Sequence, residues 1–312
     1  MKTCATRRVK NALLLALVTG GLLVVDQPTW AQEKPAPTYA DVRYGPHERN
    51  VLDVWQAEAD KPTPLVIYIH GGGFRGGSKN GLSGRKVKRF LESGISVAAI
   101  HYRLLAQDFL PAAHYDGRRA VQFLRTKADD WNLDARRFGA FGGSAGAQIC
   151  MHLAFHEEMA DPNSESRLEQ QSTRLQCVAT NGGQTTMEFN WWFDHIPGYE
   201  RPHRPATEYF GEISGLERDR VIRDISALRL LSKDDPPIFM QYGMAPDAPQ
   251  PKEPARVQGW RVHHVNFGIA LLNQAKELGV SAYLKHPGAD ARFSSDIDFF
   301  RERLLGQDAA GL

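Results

Sequence analysis

Phe138-Gly139-Ala140-Phe141-Gly142-Gly143-Ser144-Ala145-Gly146 is the stretch on which the fold turns. A short run of strand character leads into a turn built of glycine, alanine and one serine. A helical pattern follows, with Ile149, Leu153 and Ala154 on one face. Strand, tight turn and helix form the context a serine nucleophile needs, because so sharp a reversal demands small neighbours. Gly142 and Gly146 let strand and helix approach closely, and Gly143 and Ala145 suit the same crowding. Ser144 then stands at a helix N-terminus, whose positive end favours negative charge developing nearby. Glycine–serine turns are common, so the flanking strand and helix are what separate this turn from one that merely packs.

A second signal lies upstream. His70-Gly71-Gly72-Gly73-Phe74 follows the apolar run Leu65 to Ile69 and precedes Gly76-Gly77. Glycines let backbone N–H groups turn toward a ligand without steric conflict. The N–H groups of Gly71, Gly72 and Ala145 are the candidate oxyanion donors, each worth roughly 3 kcal/mol to a tetrahedral intermediate. A phosphate-binding loop is the competing reading. It lacks support, since no Lys-Ser/Thr closes the loop and no acidic residue follows at ribose distance.

Working outward, Val42 to Tyr44 and Val51 to Trp55 alternate apolar and polar residues, which predicts an antiparallel hairpin with one solvated face. Leu65 to Ile69 and Ser96 to Ile100 are continuous apolar runs, as parallel strands buried on both faces would be. Helical patterns over 116–131, 144–156 and 266–278 alternate with strand-like runs at 138–141, 177–180, 238–242 and 281–285. This alternation predicts an α/β fold with a mostly parallel sheet covered by helices on both faces. Residues 185–231 break the pattern with Phe189, Trp191, Trp192, Phe193, Tyr199, Tyr209 and Phe210. They read either as an aromatic wall of a substrate pocket or as a satellite core beneath a lid-like insertion.

The chain has 312 residues, 42% of them hydrophobic, enough for one large domain, here expected over 39–306. A net charge of +2 with no basic stripe argues against nucleic acid and against electrostatic membrane binding. Basic residues before the apolar run Ala12 to Val25, then Thr29-Trp30-Ala31, have the layout of a secretory signal peptide ending at residue 31. Export to the periplasm or the exterior is therefore expected, with no stable membrane insertion after cleavage. Residues 32–38 read as a disordered leader and 307–312 as a tail. Cys150 and Cys177 lie in apolar segments, so buried thiols compete with a disulfide. No histidine shares metal-ligand spacing with them.

His70 to Phe74, Tyr102-Arg103-Leu104, Pro111 to Asp116 and Gly142 to Gly146 together resemble the α/β-hydrolase esterases of the hormone-sensitive-lipase and carboxylesterase type. Relatives that act on feruloyl and acetyl groups of plant polysaccharides are similar too. The resemblance runs from about residue 40 to 182. It implies an eight-stranded, mostly parallel sheet and hydrolysis of a small or carbohydrate-linked carboxylic ester through an acyl-enzyme, without a cofactor. It also implies a structural role for Asp116.

That family places its histidine in a Pro-Gly-Ala-Gly-His-like loop after the eighth strand. Here the loop reads Pro287-Gly288-Ala289-Asp290-Ala291, and no histidine follows His286. A serine hydroxyl needs a base, usually an imidazole oriented by a carboxylate. One solution takes the base from His263-His264, with His264 preferred as closer to the helix start and Asp290 orienting it. A second pairs His286 with Asp247. His195 and His203 of the insertion remain further options, and a chain without a working base would be a binding protein for a glycan or acyl ligand.

Overall fold

The computed structural model describes Met1 and residues 34–307. The expected signal peptide and nearly all of the expected tail lie outside the described residues.

The described residues form eight strands: β1 (Tyr39–Arg43), β2 (Val51–Trp55), β3 (Thr63–Ile69), β4 (Ser96–Ile100), β5 (Leu133–Gly143), β6 (Cys177–Asn181), β7 (Ile238–Gln241) and β8 (Ala282–Lys285). They form one sheet in the order β1-β2-β4-β3-β5-β6-β7-β8. The pairs β1/β2 and β2/β4 are antiparallel, and every later pair is parallel. The helices that cover it are α1 (Gly84–Glu92), α2 (Ala112–Thr126), α3 (Ala145–Phe155), α9 (Asn266–Leu278) and α10 (Asp296–Leu305). Four more, α4 (Phe189–His195), α5 (Ala206–Phe210), α6 (Gly215–Asp224) and α7 (Ala227–Leu230), lie between β6 and β7, and α8 (Pro254–Val262) follows β7.

The period-two alternation of side chains divides the strands between two cores. Leu65, Ile67, Ile69, Ala98 and Ile100 pack with Val121 and Leu124 of α2, Ile149 of α3 and Leu271 of α9. Val66, Val97, Ala99 and Phe141 face the other way, against Val87 and Phe90 of α1 and Phe299 and Phe300 of α10. The two continuous apolar runs are thus strands buried on both faces, as expected.

The hairpin differs from its expectation. Only β1 keeps a solvated face, whereas Leu52 to Trp55 of β2 are all buried. The reason is that β2 is not an edge strand: it pairs with β4 on its other side. Its polar member, Asp53, is held by Lys79 Nζ at 2.6 Å. A buried carboxylate needs such a partner.

The insertion holds both features expected of it. Trp192, Tyr199, Tyr209 and Phe210 are buried as a satellite cluster, and Trp192 meets Phe267 of α9 edge-on at 4.8 Å. Trp192 and Tyr209 also line a pocket at the end of the sheet. Cys150 and Cys177 are free buried thiols, each shifted up by burial and so held as the neutral thiol. Asp116 accepts the backbone N–H of Arg103 at 2.8 Å and pairs with its guanidinium. Among the described residues no helix is long and apolar enough to cross a membrane.

Candidate active site

β5 ends at Gly143 and α3 begins at Ala145, leaving Ser144 between them at φ 52° and ψ −119°. A residue with a β-carbon is rarely found there, and holding one costs on the order of 1–3 kcal/mol. The surrounding ladder supplies that hold. Ser144 N–H donates to Asn181 O of β6 at 2.9 Å, and Ser144 O accepts from Gln148 N–H at 3.1 Å. A β-carbon on Gly146 would stand 2.0 Å from the carbonyl oxygen of Ile69, so only glycine lets α3 leave the sheet this tightly.

The imidazole beside the serine belongs to His263. Its Nε2 lies 3.0 Å from Ser144 Oγ, and its Nδ1 lies 2.9 Å from the carbonyl oxygen of Gly259. The carbonyl can only accept, so Nδ1 carries the hydrogen and Nε2 presents its lone pair to the serine hydroxyl. No carboxylate among the described residues hydrogen-bonds this ring. Gly259 lies in the last turn of α8, and His263 caps that helix. The negative end of a helix favours an imidazolium by about 0.3–1 kcal/mol, and by up to ~2 kcal/mol when partly buried. Burial acts in the opposite sense and lowers the His263 pKa below the ordinary imidazole value.

Gly72, Gly73 and Phe74 all have positive φ, at 115°, 60° and 60°. This run swings the loop after β3 over the serine turn, and Gly72, Gly73 and Ala145 line the pocket with Ser144 and His263. Gly71 packs beneath, against the carbonyl of Gly143. The pocket has a volume of about 290 Å³ and is walled by Phe74, Met187, Trp192, Tyr209 and Val262. His203 also lines it, held by Tyr199 Oη at 2.8 Å and Tyr209 Oη at 3.0 Å. Burial first, and Arg204 and His263 after it, lower its pKa to about 4. His203 is therefore neutral near pH 7.

The other expected bases and acids fall elsewhere. His264 is buried, with Nδ1 accepting the Asn266 N–H at 3.2 Å and its ring edge-on to Trp260 at 4.7 Å. Neighbouring side chains at a helix end diverge by about 100°. Once His263 faces Ser144, His264 is turned into the interior. Asp290 and Asp247 are exposed, and neither hydrogen-bonds an imidazole among the described residues. His286 Nδ1 contacts its own neighbour's carbonyl, Pro287 O, at 2.8 Å. His195 is exposed, its Nδ1 on Trp191 O at 2.8 Å. The expected His264–Asp290 and His286–Asp247 pairs are thus not formed, because each member has a separate local environment. Helix α8 and the Gly259 carbonyl were missed. Pro254 at the start of α8, a position that favours proline, was the available signal.

Known proteins share this framework. A solved structure of a truncated carbohydrate esterase from gut microbiota superposes with a TM-score of 0.66 and 19% identity, covering 88% of this chain and all of that one, and shows the α/β-hydrolase fold. Esterase LipC of Mycobacterium tuberculosis is 26% identical over 271 residues, which is 81% of this chain and 64% of that protein. Esterase LipQ of the same organism is 25% identical over 231 residues, 72% of this chain and 52% of that protein. The chain thus spans between half and two thirds of the length of these relatives. The BD-FAE family model matches residues 52–253, more than half of the chain, and the protein belongs to that family.

Proposed function

We propose that the protein hydrolyses carboxylic esters through an acyl-enzyme on Ser144. The observation that carries this reading is the 3.0 Å contact between Ser144 Oγ and His263 Nε2 at a strained strand-to-helix turn. In the first step Oγ attacks the ester carbonyl carbon and its proton passes to Nε2. The carbonyl oxygen, now negative, is held by the N–H groups of Gly72 and Ala145, with Gly71 fixing the loop from below. His263 returns the proton to the departing alcohol. Water, deprotonated by the same imidazole, then attacks the acyl carbonyl and releases the acid. Throughout, the Gly259 carbonyl and the end of α8 take the place that a carboxylate holds in a Ser-His-Asp triad.

The names of the relatives support ester chemistry, and the carbohydrate-esterase neighbour supports a small or carbohydrate-linked ester as substrate. The N-terminal pattern supports export, which N-terminal sequencing of protein recovered outside the cytoplasm would check: a mature end at Gln32 is expected. Activity is tested with p-nitrophenyl acetate and a fluorophosphonate probe. Wild type should turn over the ester and be labelled, and Ser144→Ala should do neither. Unchanged turnover in that variant would remove the assignment, and an unlabelled wild type that binds glycans would favour a binding protein instead.

A further inference from the structure

We infer that Arg204 makes this pocket selective for esters that carry a carboxylate, a reading that rests on the esterase assignment above. Among the residues lining the pocket, Arg204 alone bears a formal charge near neutral pH, and no Asp or Glu is among them. Its guanidinium lies across the glycine loop. Nη1 donates to Gly73 O at 2.8 Å, and the group sits over the Tyr209 ring, 5.4 Å from its centroid. Gly73 admits it: a β-carbon there would stand 2.6 Å from Nη2.

Two features leave this charge available. The side chain is only 17% exposed, and among the described residues its one hydrogen bond of good geometry runs to Gly73 O, with the Tyr209 side chain beside it. The nearest carboxylate, Glu208, is 3.5 Å from Arg204 Nη1 and 3.3 Å from Arg75 Nε. Glu208 is thus shared between two guanidiniums, and of the three groups only Arg204 lines the pocket. Nε and one Nη of a guanidinium are spaced to meet both oxygens of a carboxylate. A neutral hydroxyl would fill one donor and leave the charge uncompensated. Because Gly73 adjoins Gly72, an ester seated on Ser144 in a cavity of about 290 Å³ brings its substituents against this group.

The test uses matched pairs and reads a ratio. On the alcohol side the pair is 4-acetoxybenzoate and 4-methylphenyl acetate. On the acyl side it is the mono-4-nitrophenyl ester of adipate and 4-nitrophenyl hexanoate. For each pair, kcat/KM of the anionic ester over the neutral one is measured in wild type, Arg204→Gln and Arg204→Lys, with thermal unfolding as the check on folding. Arg204→Gln should lower the ratio about tenfold or more in at least one pair, and Arg204→Lys should keep part of it. A ratio unchanged in both pairs, with both esters slowed alike, would reduce Arg204 to a brace for the glycine loop and overturn the inference. If wild type hydrolyses no ester, the esterase reading fails, and equilibrium binding decides the anion site separately. Tighter binding of 4-hydroxybenzoate than of 4-methylphenol, lost in Arg204→Gln, upholds it, and equal binding of the two overturns it.

Discussion

His263 and His264 are neighbours in sequence with opposite surroundings, so exchanging each in turn separates chemistry from packing. His263→Ala deletes the one imidazole in hydrogen-bond reach of Ser144 Oγ among the described residues. General-base catalysis contributes about 10²–10⁴-fold. The upper part of that range applies, since no other side-chain acceptor among the described residues contacts the hydroxyl. The expected loss in kcat is ~10³–10⁴-fold, about 4–5.5 kcal/mol of transition-state stabilisation. His264→Asn removes a buried ring but keeps a side-chain acceptor able to reach the N–H two residues on, as asparagine commonly does in turns. That variant should lose about 1–3 kcal/mol of stability while its rate stays within about tenfold. Asp290→Ala and Asp247→Ala, both at exposed positions, should retain near wild-type rates, far from the ~10⁴-fold drop that accompanies disabling a triad acid. The assay is p-nitrophenyl acetate turnover on variants shown by thermal unfolding to be folded. Retention of activity in His263→Ala, or a ~10³-fold loss in either aspartate variant, would refute the arrangement.

Three further outcomes are expected. Ser144→Gly should abolish turnover yet raise the melting temperature by a few degrees, because glycine relieves the strain at φ 52°, while Ser144→Ala should not. The acid limb of kcat/KM should fall below the ordinary imidazole value of about 6.5, because burial lowers the His263 pKa and only its neutral form accepts the serine proton; a limb above that value would contradict the site. Stability should decline as pH falls between about 6.5 and 4. His70, His152 and His203 are each lowered to about 4 by burial, so the unfolded chain binds more protons in that window. Urea midpoints at pH 7, 5.5 and 4.5 measure this, and a flat series would count against neutral buried imidazoles.

The serine turn and the glycine loop were legible because their constraints are local. A turn with no room beside it demands small residues at fixed spacing, and spacing survives in sequence. The doubly buried strands were legible for the same reason. The base was not. Whether His263 or His264 faces Ser144 depends on where α8 stops, and no glycine or proline directly follows Val262 to mark that stop. The partner of His263 is a backbone carbonyl, a group every residue owns, so no side chain advertises it. The hairpin was misread because burial of β2 depends on β4, a strand some forty residues later. The family match, too, ends before α8.

Because the imidazole arrives on the crossover between β7 and α9, the chain beyond Asn266 supplies none of the groups assigned to bond-making. On the proposed mechanism the turn from His286 to Arg292 carries no chemical role. It is free to lengthen, shorten or change composition until Phe293 and Phe299 are pulled from the core they help fill. A search keyed to a histidine after the last strand would settle on His286, whose ring meets Pro287 O, while the imidazole 3.0 Å from Ser144 Oγ arrives from the end of α8.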